Sequence, residues 1–535
     1  MTRFSVLIRK INFLSRKLDI ESQVQLKHTL AIVRKRHVTI NTSLISYCHS
    51  LLFICAHPFD KQLLALAEKE LGRISQTLKK ANAKKLLLIQ NSGLPFTSSV
   101  FSFSQDCLVW IQDQSLGKLE LINISNDSLN KVLEHTLPSL ERSNTTAGFS
   151  HEELFDVLLV RKSQRVSFLV NQFYSLNQQP TIKDYLFDTL ALETKFTPAN
   201  KNYSIAYNRI YESKIYFQRE WNKKIDIKNF IEKNIPAPSE LLQKNKSTLI
   251  NCIKMTMALN IRETDPATYL DEASLRLYQL EHGISIAIYG MVANRQLPLE
   301  SYMGYTLFKN GFPVAYGGSW IYGKTANFGI NILEPFRGGE SSYLLGQLLR
   351  VYRNIFKVTY FEIEPYQFGL DNPDGIESSA FWFYYRNAFR PVDRNIKTLA
   401  DATYKQLTST RSRKVSKATL KKFTDSNLAL NLGSHIPPSL PSLINQVTKM
   451  IKREFDGDRQ KAVTKCIESF YSKSNVNFLD TTTCAALEEM ALVAKALNVT
   501  KRNSIENIVS MIEVKSRDQY TYQLLLSAFL EKVKY

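Results

Sequence analysis

The residues best suited to chemistry in this chain form an arginine–glycine turn that leads into a helix. Arg337, Gly338 and Gly339 follow a β-prone run, and Ser341 and Ser342 precede an amphipathic helical pattern. Glycines at such a junction let backbone N–H groups approach an anion, and the positive end of the helix dipole favours a phosphate there. The turn is therefore predicted to bind a phosphate group. It is not a P-loop, because no Gly-Lys-Ser/Thr sequence follows.

Three further elements must position this turn. Residues 328–332 are predicted as a strand that enters it, and the helix that leaves it has an apolar face along one side. Residues 360–364 are predicted as a second strand, in which Glu362 and Glu364 point to the same face. An aromatic run at 381–385 is predicted as a second helix.

A hairpin is predicted just before this unit. Residues 302–308 and 312–320 both read as strands, and Asn310 and Gly311 lie between them. Asn-Gly accommodates the positive φ angles of a type I′ turn, which makes it a strong hairpin signal. The sequence thus predicts an antiparallel meander that leads into a strand–helix–strand unit.

This order of elements resembles the coenzyme A-binding half of the GNAT acetyltransferase superfamily, over about residues 255–395. Ile330 and Ile332 match the aliphatic-x-aliphatic strand of that superfamily, and Arg337 with its two glycines matches the pyrophosphate turn. Tyr384 begins a segment similar to the Tyr-x-x-x-Gly-Phe signature, with Ala388 in place of the glycine. The hairpin also fits the order of a GNAT core.

The resemblance implies a cofactor and roles for individual residues. Coenzyme A or acetyl-coenzyme A would be held by the strand and the turn, that is by Ile330, Asn331, Ile332, Arg337, Gly338, Gly339, Ser341 and Ser342. A backbone N–H near residues 331–333 would support the thioester carbonyl, and Tyr384 would protonate the departing thiolate. Either Glu364 or Glu362 would take the proton of the amine acceptor.

The implied function is transfer of an acyl group from acyl-coenzyme A to a small-molecule or peptide amine. Two alternatives remain open. One is an enzyme of the same fold that uses aminoacyl-tRNA, and the other is a non-enzymatic binding protein that kept the fold and lost the cofactor. Two departures from the family pattern bear on this choice: Glu340 stands where a second glycine is usual, and Glu377 stands where an asparagine is usual. Glu340 is expected to bring a carboxylate beside the pyrophosphate.

Composition sets the wider limits. The chain has 535 residues and a formal net charge of +20, which permits attraction to tRNA or another polyanion. None of its six cysteines forms a Cys-x-x-Cys pair, so no disulfide framework and no metal site are predicted, and a reducing cytoplasm is expected. No stretch approaches twenty apolar residues, so integral membrane association is not expected.

The predicted fold class is a multidomain α+β or α/β protein, in which helices flank a GNAT-like mixed sheet. Residues 1–235 are predicted to be mostly helical, with a small β segment at 86–124, and residues 236–400 are predicted to form the acyltransferase-like domain. Residues 401–441 read as a basic, proline-containing linker, and residues 442–535 as a helical domain.

Overall fold

The computed structural model describes residues 4–125, 128–174, 176, 179–223, 225–409, 415–474, 476, 478 and 481–533. These residues form a mixed α/β structure with a large mixed sheet and helical regions at both ends, as predicted. The resemblance to the GNAT superfamily itself stays a prediction.

The helices fall into three groups along the chain. Those before the large sheet are α1 (Phe4–Ser15), α2 (Ile20–Arg34), α3 (Thr42–Ala56), α4 (Lys61–Lys79), α5 (Ala83–Leu87), α6 (Gln105–Asp113), α7 (Leu129–Thr136), α8 (His151–Val157), α9 (Arg165–Asn171), α10 (Pro180–Thr189), α11 (Ile227–Ile231), α12 (Gln243–Leu259) and α13 (Asp265–Thr268). Those connecting its strands are α14 (Ser341–Phe356), α15 (Pro373–Glu377), α16 (Ala380–Arg386), α17 (Arg394–Ser409) and α18 (Lys417–Phe423). The last group is α19 (Leu440–Phe455), α20 (Arg459–Ser474), α21 (Thr481–Ala496), α22 (Arg502–Lys515) and α23 (Gln519–Lys532).

The strands form two sheets. A small sheet has the order β1 (Ser99–Phe101), β3 (Glu193–Pro198), β2 (Gly117–Asn123). The large sheet contains β4 (Arg276–Gln279), β5 (Ile284–Tyr289), β6 (Ser301–Lys309), β7 (Phe312–Tyr322), β8 (Thr325–Phe328), β9 (Asn331–Ile332), β10 (Tyr360–Ile363), β11 (Arg390–Pro391) and β12 (Leu428–Asn431).

The large sheet has the strand order β11-β12-β10-β8-β7-β6-β5-β4, and β9 pairs with β7 outside this path. Its only parallel pair among the described residues joins β8 to β10, and helix α14 makes the crossover between them. The predicted hairpin is confirmed: Asn310 and Gly311 have φ angles of 47° and 81° and connect β6 to β7. Apolar residues of α14, including Leu348 and Val351, are completely buried.

The β segment predicted at 86–124 is wrong over much of its length. Residues 86–89 lie at the end of a short helix, and residues 107–111 belong to α6. Ser104 caps α6 by accepting a hydrogen bond from the N–H of Cys107, and Leu108 and Ile111 are both buried at helical spacing. Within the predicted β segment the strands are the short β1 and β2, and both pair with β3.

The range predicted as a linker contributes to the large sheet. Residues 401–409 continue α17, and β12 pairs with both β10 and β11. The sheet domain therefore extends through Asn431, because β12 covers the edge of β10. Residues 410–414 of the predicted basic linker lie outside the described residues. So does Asp480, which precedes a helical pattern in the sequence and is expected to cap it. Helices α19–α23 share an apolar cluster that also includes Leu299 and Tyr322 of the sheet domain.

Candidate functional site

The parallel pairing of β8 and β10 stops after three residues. Residues 325–327 lie opposite residues 360–362, and the chain then leaves β10 at Gly329 to form β9 against β7. The sheet therefore opens between β9 and the end of β10, an opening we call the splay. Backbone polar groups that face an opening of this kind have no strand partner and are available to a ligand.

Two tyrosine hydroxyls lie against the backbone at the base of the splay. Tyr305 Oη donates a hydrogen bond to the Gly329 carbonyl at 2.7 Å, and the Tyr384 hydroxyl lies close to the Ile330 backbone. Burial raises the pKa of Tyr384, so the phenol stays protonated at neutral pH. The ring of Tyr305 packs edge-on against Tyr352 of α14, with centroids 6.4 Å apart. This tyrosine therefore lies on the α14 side of the sheet.

The edge of β9 offers a backbone donor to the splay. The Leu333 N–H already donates to the Val314 carbonyl at 2.9 Å. Because successive N–H groups in a strand point to opposite edges, the Ile332 N–H points away from β7 and into the splay. Arg337 Nε donates to the Ile332 carbonyl on the same edge at 3.1 Å. Within the predicted range 331–333, Ile332 is thus the residue whose N–H faces the opening.

The glycine turn is exposed on one side and covered on the other. Gly338 is exposed with a φ of 84°, a conformation that favours glycine. Gly339 faces the N-terminal helices, since an added Cβ would lie 3.4 Å from the rings of Phe53 and Trp221. The Arg16 guanidinium lies 4.1 Å from the Phe53 ring centroid, beside Gly338. The turn is therefore flanked by Arg16 as well as by Arg337.

Glu340 does not bring an unpaired carboxylate to this turn. Its side chain is fully buried, and Oε2 lies 3.0 Å from Nζ of Lys309, which is equally buried. Oε1 accepts hydrogen bonds from the side chains of Gln218 and Asn222, both at 2.8 Å. Burial alone would raise the pKa of Glu340, but the charges of Lys309 and His57 and the hydrogen bonds from Lys309 and Asn222 together outweigh burial and lower it. The carboxylate is thus neutralised by Lys309 inside the protein.

The two predicted base candidates lie on the opposite face from α14, and each accepts a hydrogen bond from an asparagine. Glu362 accepts one from Asn427 Nδ2 at 2.7 Å, and Glu364 accepts one from Asn327 Nδ2. Glu364 follows the end of β10 and is exposed, whereas Glu362 is half-buried within the strand. Glu364 therefore lies closer to the place where the strands part.

Several residues near this site were not predicted from the sequence. Tyr302 and Trp320 stack across β6 and β7 with ring centroids 4.2 Å apart, and Glu300 immediately precedes β6. Arg262 lies beside the Tyr316 hydroxyl, where its charge and that of Arg337 oppose the raising of the Tyr316 pKa by burial. The alternation of β6 could have placed Glu300 and Tyr302 on one face, but no local signal identifies Arg262.

The two serines of the turn, Ser341 and Ser342, are half-buried in the first turn of α14.

Among the described residues, no group of three or more His, Cys, Asp or Glu side chains could hold a metal ion. No helix in the described ranges combines the length and apolarity needed to cross a membrane. No protein-family model, curated protein or solved structure matches this chain.

Proposed function

We propose that this protein is an N-acyltransferase that moves an acyl group from acyl-coenzyme A to an amine. The observation that carries the proposal is the splay, with the Tyr384 hydroxyl at its base and the N-terminus of α14 beyond it. An extended thiol arm can lie along the free edge of β9, and a pyrophosphate can reach the helix N-terminus.

The electrostatics of the turn favour a polyanionic donor. Arg337 and Arg16 flank Gly338, and Arg262 adds a third guanidinium near the splay. Arginine is suited to phosphate because its planar fork donates two parallel hydrogen bonds. The carboxylate of Glu340, which could have repelled a phosphate, is neutralised by Lys309. The residues of the turn thus fit a pyrophosphate.

The chemistry follows from the groups around the splay. The Ile332 N–H would donate to the thioester oxygen, where negative charge develops as the amine nitrogen attacks the carbonyl carbon. One such donor contributes about 3 kcal/mol to transition-state stabilisation. As the tetrahedral intermediate collapses, the carbon–sulfur bond breaks and the Tyr384 hydroxyl gives its proton to the thiolate.

The amine must lose a proton before or during its attack. Glu364 is the better base, because it lies beyond the end of β10 and is exposed, whereas Glu362 is half-buried and bonded to Asn427. The Asn327 amide holds the Glu364 carboxylate in place. The proton would reach this carboxylate directly or through a water molecule.

Calorimetric titration with acetyl-coenzyme A tests the proposal. Arg337→Ala should weaken binding about tenfold, because a charge-assisted phosphate contact is lost. The matched control is Arg353→Ala, which removes the same charge from the far end of α14 and an exposed pair with Glu232. No binding by the wild-type protein, or equal binding by both variants, would overturn the assignment of the turn.

A further inference from the structure

An aromatic pair lies on the face of the large sheet that is turned away from α14. The rings of Tyr302 and Trp320 are stacked with an interplanar angle of 10° and centroids 4.2 Å apart. Tyr302 lies over Gly318, where an added Cβ would come within 2.4 Å of its ring. Both aromatic side chains remain partly exposed. The absence of a side chain at Gly318 thus lets the pair lie close to the sheet.

Carboxylates border this pair. Glu300 precedes Tyr302 by two residues, and its pKa is raised by burial and by the negative charge of Glu364. Glu364 is held by Asn327, which lies directly opposite Trp320 in the β7–β8 pairing. The charge of Asp265 acts on the Tyr302 hydroxyl, whose pKa rises to about 12 mainly through burial. Asp265 therefore lies near Tyr302, and Glu364 lies near Glu300, in a chain of net charge +20.

We propose that this face, made by Tyr302, Trp320, Glu300 and Glu364, binds the acceptor as an organic ammonium ion. We call it the ammonium face. The negative face of an aromatic ring attracts a cation, and partly desolvated carboxylates strengthen that attraction. Glu300 makes no ion pair within the described ranges, so it has a charge to offer. A substrate with a carboxylate near its amine would be repelled here.

The ammonium face lies next to the splay. Trp320 pairs with Asn327 in β8, and Asn327 pairs in turn with Glu362 of β10, at the last position before the two strands separate. Tyr305, which shares the base of the splay with Tyr384, lies on the α14 side. An amine bound at this face would therefore reach a thioester in the splay from the opposite side of the sheet. The assignment of this ligand as the acceptor rests on the proposed function.

Three probes with the same carbon chain separate charge from shape: n-butylammonium, n-butanol and butyrate. Ligand-observed NMR should detect n-butylammonium binding to the full chain, weaker binding of n-butanol and no binding of butyrate. Glu300→Gln and Trp320→Leu should each weaken ammonium binding about tenfold. Trp110→Leu is the control, since Trp110 lies near Lys254 in another part of the protein.

The outcomes distinguish this inference from the proposed function. Equal binding of the ammonium ion by wild type, Glu300→Gln and Trp320→Leu would overturn the ammonium face, as would tighter binding of butyrate. Glu300→Gln preserves shape, so it keeps the test valid if Trp320→Leu does not fold. Acetyl-coenzyme A binding without ammonium binding would remove the acceptor site alone. Ammonium binding at this face without acetyl-coenzyme A binding would keep the site and remove the acyltransferase.

Discussion

Lys309 and Glu340 form an ion pair at 3.0 Å with both side chains completely buried. Lys309 ends β6 at the hairpin tip, and Glu340 is the residue immediately before α14. Lys309 Nζ also donates to the carbonyl of His282 at 2.8 Å. The pair therefore connects the hairpin to the start of the helix whose N-terminus forms the candidate phosphate site.

Removing one partner of this pair should destabilise the folded protein. Glu340→Gln leaves a buried ammonium without its counter-charge, and Lys309→Met leaves a buried carboxylate, so each should lower the free energy of unfolding by about 3–5 kcal/mol. The double variant should lose clearly less than the sum of the two. Denaturant unfolding measures all three. The exposed pair Lys495–Glu454 is the control, and similar costs for both pairs would contradict the prediction.

His57 should make the fold sensitive to mild acid. It is buried between Phe53 and Trp221, and burial together with the charge of Lys309 lowers its pKa to about 3. The unfolded chain binds a proton near pH 6.5 whereas the folded protein does not, so stability is full above pH 6.5 and falls below it.

The slope of stability against pH between 6.5 and 4.5 should decrease by about 1 kcal/mol per pH unit in His57→Gln. Thermal unfolding across this range measures it. His28→Gln, at an exposed position, is the matched control. An unchanged slope in His57→Gln would show that other groups cause the acid sensitivity.

Glu300 should affect the pH dependence of stability in the direction opposite to His57. Because burial and Glu364 raise its pKa, the folded protein holds this proton to higher pH than the unfolded chain does. Stability is therefore unaffected below the ordinary value near 4.5 and decreases as pH rises through the folded pKa. Glu300→Gln should raise the melting temperature at pH 7 but not at pH 4, with a gain below about 1 kcal/mol because the group is partly exposed. The control is Glu377→Gln, at an exposed position, which should not change the melting temperature at either pH.

Local signals in the sequence predicted some of these elements well. The Asn310-Gly311 turn and the amphipathic helix α14 depend on the conformational preferences of neighbouring residues, which the sequence displays directly. The break at Gly329 and Ile330 was not visible, because it depends on hydroxyls from distant residues. Tyr305 donates to the Gly329 carbonyl, which would otherwise be available to continue the strand, and the Tyr384 hydroxyl lies close to Ile330.

The aromatic pair of the ammonium face is a second feature that could not be predicted from the sequence. Counting from the hairpin turn, in which Lys309 pairs with Phe312, would place Tyr302 opposite Ser319. A bulge shifts the register by one residue beyond Phe308, so Trp320 lies opposite Tyr302 instead. A bulge depends on how the whole strand packs, and therefore the sequence did not reveal the stacked pair.

The charge of +20 predicts how tRNA should behave. We expect retention of bulk tRNA in a gel shift at low salt, because phosphate contacts release counterions, and loss of binding by about 0.2 M salt. Acetyl-coenzyme A, which offers few phosphates, should lose less affinity over the same range. Binding of aminoacyl-tRNA that persists at 0.2 M salt, together with no acetyl-coenzyme A binding, would favour the tRNA-dependent alternative.

The Tyr384 hydroxyl separates an enzyme from a binding protein of the same fold. Tyr384→Phe removes the hydroxyl beside Ile330 but keeps the ring that packs against Phe389 with centroids 5.8 Å apart. If this hydroxyl protonates the thiolate, kcat should fall about ten- to a thousandfold, while acetyl-coenzyme A affinity changes little. Tyr360→Phe is the control, since it removes a tyrosine hydroxyl from the other face of the sheet.

Equal turnover by wild type and Tyr384→Phe would remove Tyr384 from the mechanism, and a general loss of folding would show as a lowered melting temperature. No turnover of any amine by the wild type, together with no acetyl-coenzyme A binding, would favour the non-catalytic alternative.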